Sequence, residues 1–550
     1  MSTDTGQPQA AVRLGWLPWI LIAVAWFATI SVRPLLDPDE GRYAEIPREM
    51  LVSGDWLTPR FNDLKYLEKP PLQYWATAAT YEVAGVKPWS SRLWGVGLAF
   101  ACLPLVYAWT RRLYGTSAAL GALVALAVSP YYVVLGHLNL LDQAFTFWLT
   151  AAVLAFAYAQ LRAGAVERRW MLAAWACAAL AVLSKGIVVG VLAGGALTVY
   201  TLLERDGRTW RRLHVLPGLA LFLLIAAPWF VLVSLRNPSF PGFFFVHEHF
   251  ARFLTTVHQR VEPWWFFLPL LLLAVLPWLP ATLRSTRAHV SEVPPVLPAA
   301  SAAQFKPLKF LLIFCAVTLV FFSASGSKLA PYILPMVPLL AVLTAVYGGD
   351  PRLLARRAAR IGAPLTVFVA AGLLIYSARR NSFVPQAALW WCTAASLIAL
   401  AALLFTRRRA VDAGQLGPLA AAVCAILGWQ CLLCAFSIIP PARSAQRLVE
   451  AVRPVIEPAM PLYSVGQYRE TISPYLGRTL TLAGYEGELQ FGLNEEPARR
   501  LTTEQFAQRW SSGGAAVAFF EPELWDEWRR RGLPGRVIAA DYHTVAVSRL

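Results

Sequence analysis

Apolar runs of about 20 residues recur along the chain, separated by short polar stretches, which is the pattern of membrane-spanning helices. They lie near 14–34, 92–110, 117–136, 141–161, 170–184, 186–203, 215–235, 264–283, 308–324, 331–348, 361–378, 387–406 and 416–439. The pattern predicts a polytopic α-helical membrane protein of about thirteen spans. The first run shows no small-residue cleavage pattern before Asp37, so it is expected to persist as a span rather than to be removed as a signal peptide.

Alternate connections differ in charge. Arg111-Arg112, Arg168-Arg169, Arg205 to Arg212, Arg284 to Lys309, Arg352 to Arg360 and Arg407-Arg408-Arg409 fall on one side, which the positive-inside rule makes cytoplasmic. The outer connections are the long stretch 35–91, short ones at His137 to Asp142 and Ser184-Lys185-Gly186, then 236–263, Ser323 to Leu329, and Ala378 to Gln386. Arg379-Arg380 is the basic pair that conflicts with this assignment. An odd number of spans places everything after about Pro440 outside.

That tail abandons the long apolar period. Strand-like Leu462 to Val465 and Thr479 to Leu482 alternate with a helix-like Arg469 to Leu476. Helices at Thr503 to Trp510 and Glu521 to Arg531, a strand at Ala515 to Phe520 and a strand pair near 536–549 follow. Such alternation predicts a small α/β domain. It has no Gly-rich phosphate loop and no nucleophile elbow, so it is expected to act as a lid or partner-binding domain. The expected organisation is a membrane domain over 1–440, including an outer loop at 35–91 with amphipathic helices, and an α/β domain over 441–550.

Composition sharpens this picture. A hydrophobic content of 57% and a mean hydropathy of +0.50 exclude a soluble enzyme. The net charge of +17 sits mostly in arginines between apolar runs, so it reports topology and not a nucleic-acid partner. The seven cysteines all fall in apolar runs, including Cys431-x-x-Cys434, and are read as small buried hydrophobes without disulfides.

The outer polar segment from Asp37 to Tyr74 carries the candidate chemistry, because ionisable groups beside lipid are costly unless they face a cavity, a partner or water. Asp37-Pro38-Asp39-Glu40 reads as a helix start with Asp37 as N-cap, which leaves Asp39 or Glu40 for a functional role. Glu68-Lys69-Pro70-Pro71 reads as a second start, with Lys69 either snorkelling or facing the acids. Lys185, Arg252, Arg260 and Lys328 bring further cations from other outer loops. Single cations converging from several loops suit a phosphorylated lipid. Asp142 opens the fourth span as its N-cap or as a second acid facing the cavity. His247 and His249 are a weak metal signal at i and i+2, though one of them with Glu68 could hold zinc.

At these residues the chain resembles a known family. Asp-Pro-Asp-Glu-Gly-Arg-Tyr (37–43), Gly54-Asp55-Trp56, Glu68-Lys69-Pro70-Pro71-Leu72, and Ser327-Lys328-Leu329 with Pro331-Tyr332-Ile333-Leu334-Pro335 look like the lipid A aminoarabinose transferases. These are inner-membrane glycosyltransferases of the C-type fold, related to the protein O-mannosyltransferases. The resemblance implies transfer of 4-amino-4-deoxy-L-arabinose from undecaprenyl phosphate to lipid A phosphates, with polymyxin resistance as the consequence. It implies a multi-pass inner-membrane protein, expected to work as a monomer, whose site and tail are periplasmic. It makes Asp39 and Asp142 the catalytic acids, with Glu40 and Arg42 of the same motif grouped with them. Lys69, an arginine of the 252–260 loop and Tyr332 would take the lipid phosphate, and Glu68 and His249 would bind zinc. Relatives with this motif that use other sugars or a protein or glycan hydroxyl are the alternative. A lipid transporter fits less well, because the charges collect at one face and no inverted repeat is visible.

Overall fold

The structure is a computed structural model that describes residues 15–251, 262–280, 282–283, 293–296, 305–381, 383–407, 416–440, 443–485 and 487–549; the side chains of 249–251 are outside this description. A helix coincides with each expected span. Among the described residues, six helices are long and apolar enough to cross a membrane: Pro88–Ala127, Val215–Arg236, Pro307–Ala324, Pro351–Asn381, Gln386–Thr406 and Leu416–Ile438. The first of these, here α4, turns at Gly115, where a φ of 84° suits a residue without Cβ. Its two arms fall on two of the expected spans. The seven cysteines are free.

Most of the helices share one large apolar core, and the helices Gly164–Lys185 and Val215–Arg236 meet in a second, smaller one. Polar side chains fasten it locally: Gln430 accepts from the Thr29 hydroxyl at 2.7 Å and donates to the Ala25 carbonyl at 2.7 Å. In an apolar surround such a bond is favoured because the alternative is an unsatisfied polar group. Arg380, the residue in conflict with the charge rule, donates to the Tyr542 hydroxyl of the tail and lies 5.3 Å from its ring centroid. It therefore shares a side with the tail.

The outer loop folds into α2 (Asp39–Ser53), a two-residue hairpin of β1 (Arg60–Phe61) and β2 (Leu64–Lys65), and α3 (Leu72–Ala84). Pro70-Pro71 stops the preceding chain and α3 starts directly after it, as expected. The tail forms a five-stranded sheet in the order β4-β3-β5-β7-β6. Here β3 is Leu462–Val465, β4 Thr481–Ala483, β5 Ala516–Phe520, β6 Arg536–Ala540 and β7 Val545–Arg549. Strands β3, β4 and β5 are parallel, while β7 is antiparallel to β5 and β6. The predicted α/β alternation is observed.

The tail does not stand apart from the outer loop. Ile46, Met50, Phe61 and Leu64 share one apolar core with Leu462, Ile472, Leu493 and Phe519. Burial on both sides of the contact makes the loop and tail one packed layer above the helices.

Candidate active site

Asp39 opens α2. Its carboxylate lies 2.8 Å from Arg42 Nη1 and is 44% exposed, whereas Arg42 is 5% exposed. The second amino group of Arg42 pairs with Glu488 of the tail. Tyr66 extends this network: its hydroxyl donates to Glu488 at 2.7 Å and stands 3.2 Å from Glu68. Asp39 thus presents an open carboxylate on a buried, tail-held guanidinium.

Glu40 behaves differently. It is buried against Arg92, with Oε1 2.7 Å from Nε and Oε2 2.9 Å from Nη2. The N–H groups of Leu36 and Asn139 also donate to it, both at 3.0 Å. Burial alone would raise its carboxyl, but Arg92 and Arg33 beside it hold it below the ordinary value. Glu40 ties the motif to α4 and has no oxygen left uncommitted.

Asp37 is not the helix cap that local pattern suggests. Pro38 precedes α2, and no side chain caps the helix start. Asp37 instead accepts from Arg469 Nε and from the Thr471 N–H, both at 2.8 Å, so tertiary partners displace the local bond.

The cationic side is built by three elements. Lys69 Nζ lies 3.7 Å from Glu68 and 3.4 Å from Glu248, a buried acid on the wide-turn helix Gly242–Ala251. Burial, with Glu488 and Glu248 alongside, pushes the Glu68 carboxyl up to about 7. Lys185, at the end of α7 (Gly164–Lys185), pairs with Asp142 at the start of α6 (Asp142–Gln160) and stands 4.5 Å over the Tyr332 ring. The cap position of α6 belongs to Leu141, which frees Asp142 for that pair. Lys328 is buried and donates to the carbonyls of Glu262 at 3.0 Å and Ser325 at 2.6 Å. Tyr43 lies under Arg42, 5.6 Å from guanidinium to ring centroid. Burial first, then the negative charge of Asp39, drives its hydroxyl far above the ordinary value.

An apolar cavity of about 610 Å³ lies among the helices. Val182, Ile187 and Val189, which flank Lys185 in the chain, line it together with Phe245, three residues before Glu248. Its lining is apolar throughout and can bury a hydrocarbon tail.

Arg252 and Arg260 lie outside the described residues, as does the His249 side chain. Among the described residues no group of three or more His, Cys, Asp and Glu could hold a metal ion. Glu68 stands 3.2 Å from the Tyr66 hydroxyl and 3.7 Å from Lys69 Nζ. Sequence reasoning missed Glu248, Glu488, Tyr66 and the Arg92–Glu40 pair. Glu488 sits in a Gly-Tyr-Glu-Gly-Glu run that local pattern cannot distinguish from a surface turn.

Comparison with known proteins follows the same geometry. A model of the aminoarabinose transferase C-terminal domain matches residues 448–549, and one of the dolichyl-phosphate-mannose-protein mannosyltransferases matches 19–244. An undecaprenyl phosphate-alpha-4-amino-4-deoxy-L-arabinose arabinosyl transferase of Pseudomonas aeruginosa PAO1 is 35% identical over 339 residues, 59% of this chain and 58% of that one. Its counterpart in Erwinia tasmaniensis is 33% identical over 338 residues, 60% and 58%. The matched stretch thus spans 58% of the length of these curated relatives. The crystal structure of ArnT from Cupriavidus metallidurans bound to undecaprenyl phosphate superposes with a TM-score of 0.86 at 32% identity, covering 97% of this chain and 98% of that one. The same protein in the apo state gives 0.84. With a solved relative matched over almost its whole length, the chain belongs to the aminoarabinose transferase family.

Proposed function

We propose that this membrane protein is a glycosyltransferase that moves 4-amino-4-deoxy-L-arabinose from undecaprenyl phosphate to phosphate groups of lipid A, on the periplasmic face of the bacterial inner membrane. The observation that carries the reading is an apolar cavity, whose lining residues Val182, Ile187 and Val189 flank Lys185 in the chain, together with Lys185 itself, paired with Asp142 and set over the Tyr332 ring. A polyprenyl chain suits the cavity and a phosphodiester the cation. Its bearing on activity comes from relatives named for this transfer and from the solved relative's bound undecaprenyl phosphate.

In the reaction the bond between the anomeric carbon and the carrier phosphate oxygen breaks, and its electron pair stays on undecaprenyl phosphate. An acceptor phosphate oxygen forms the new bond to that carbon. The leaving phosphate gains negative charge, so fixed cations lower the barrier most. Lys69, Lys185, Tyr332, Arg252, Arg260 and Lys328 are assigned to that phosphate. A phosphate acceptor is already anionic near neutrality, which leaves Asp39 to orient it or to meet the sugar ammonium. Asp142 holds Lys185 in place, Arg42 holds Asp39, and Glu40 anchors the motif to α4. Glu68 and His249 would be the ligands of a zinc ion. The working unit of this reading is a monomer. Charge reduction on lipid A would be the source of polymyxin resistance.

The test is transfer in detergent by purified protein, with lipid-linked aminoarabinose as donor and lipid A as acceptor, read by mass spectrometry. Addition of one aminoarabinose per modified phosphate is expected. Modification of a hydroxyl instead, or use of a different sugar alone, would overturn the assignment of acceptor or donor.

A further inference from the structure

The first turn of α2 is where Asp39 sits, and helix starts are prone to fray when their N–H groups find no side-chain cap. α2 has no such cap. The tail instead holds the residue that leads into it. Asp37 accepts from the Thr471 N–H and from Arg469 Nε at 2.8 Å each, and its own N–H donates to the Arg443 carbonyl at 2.7 Å. Arg469 is buried, and its Nη1 reaches Asp541, in the turn between β6 and β7, with Thr544 Oγ1 at 3.5 Å. The other oxygen of Asp541 accepts from the N–H groups of His543 and Thr544 at 2.9 Å. The guanidinium is therefore fixed at both ends. The backbone of 470–471 also lies against Gly41 so closely that a methyl there would stand 2.6 Å from the Glu470 carbonyl carbon.

We propose that Arg469 is a positioning residue for the transfer reaction: by holding Asp37 between the tail sheet and α2, it fixes the first turn that presents Asp39 and Arg42. The inference rests on the reading of Asp39 as a participant in transfer. It makes the tail a working part of the active site, where pattern alone suggested a lid or partner-binding domain. A fork that spans two carboxylates is a task for arginine, since an ammonium can serve one of them well but not both. A misplacement of about 1 Å at a reacting group can cost on the order of a hundredfold in rate. Loss of the clamp should therefore appear in turnover before it appears in donor binding.

The experiment uses the full chain in detergent and compares Arg469→Gln, Arg469→Lys, Asp541→Asn and Asp39→Asn. Turnover and donor KM are measured beside the melting temperature and the number of undecaprenyl phosphate sites per molecule. Arg469→Gln is expected to lower kcat about tenfold to a hundredfold with donor KM and site number unchanged. Arg469→Lys should recover part of that loss, and Asp541→Asn should lose less than Arg469→Gln. If kcat falls only in proportion to the loss of donor-binding molecules, Arg469 serves folding alone and the proposal fails. An inactive Asp39→Asn beside a fully active Arg469→Gln removes the proposal and leaves the Asp39 assignment standing. A fully active Asp39→Asn removes both. Should Arg469→Gln not fold, Asp541→Asn with wild-type kcat would overturn the proposal by itself.

Discussion

At the scale of single residues, the site separates acids that look equivalent in the sequence. Asp39 and Glu40 are neighbours, yet one is open on Arg42 and the other is consumed by Arg92. The lysines divide similarly. Lys69 meets Glu68 and Glu248 at the site, while Lys309 pairs with Glu204, an acid on the expected cytoplasmic side. Lys69→Ala is expected to raise donor KM several-fold more than Lys309→Ala; equal kinetics would reduce Lys69 to a snorkelling residue. Glu68 adds a pH dependence. Its carboxyl is raised to about 7, so it is neutral below that pH and ionised above it. The sign follows: a raised acid favours the folded state when protonated, and that contribution is lost as pH climbs through about 7. Ionised Glu68 also competes with phosphate for Lys69. Donor KM should therefore rise from about pH 6 to about pH 8, and Glu68→Gln should flatten the rise. An unchanged slope in that variant would assign the titration elsewhere.

At the scale of elements, the contact that matters most is α2 against the tail. Gly41 allows two backbones to meet where any side chain would push them apart. Gly41→Ala should cost about 1–3 kcal/mol through overpacking. The control is Gly97→Ala on α4, where nothing lies within 4 Å of the added methyl. Thermal unfolding of the two purified variants checks this: a similar melting temperature for both would mean the tail can recede without penalty. The ion pairs at the rim of the same contact, Arg60–Glu496 at 3.1 Å and Lys65–Glu495 at 3.4 Å, contribute less because water and salt screen them.

At the scale of the whole molecule, sidedness links the site to its membrane. Arg380 meeting Tyr542 puts one member of the exceptional basic pair on the same side as the tail. Single cysteines at exposed Ser53 and Ser511, in a Cys-free background, should react with an impermeant thiol reagent from the periplasm. A cysteine at exposed Arg352 should stay protected until the inner membrane is opened. Labelling of Ser53 with protection of Ser511 is incompatible with the shared core of loop and tail. Protection of both would move the site to the cytoplasmic face and defeat the proposed acceptor.

The sequence by itself determined what depends on local period and composition. The oily runs demanded helices, the arginine bias predicted their orientation, the Asp37–Tyr74 segment stood out as polar chemistry beside lipid, and the tail's alternation called for an α/β fold. Tertiary structure alone decided which charges meet. Asp37 finds Arg469 across 432 positions and Arg42 finds Glu488 across 446, distances over which no periodicity carries information. Local rules assigned Asp37 to a helix cap because the nearest orphan N–H groups belonged to α2. Packing of the tail core brought a guanidinium and a second N–H within 2.8 Å, and the charged partner won. The tail's place in the site was hidden for the same reason, since its contribution is made by burial and pairing against another part of the chain and not by any motif of its own.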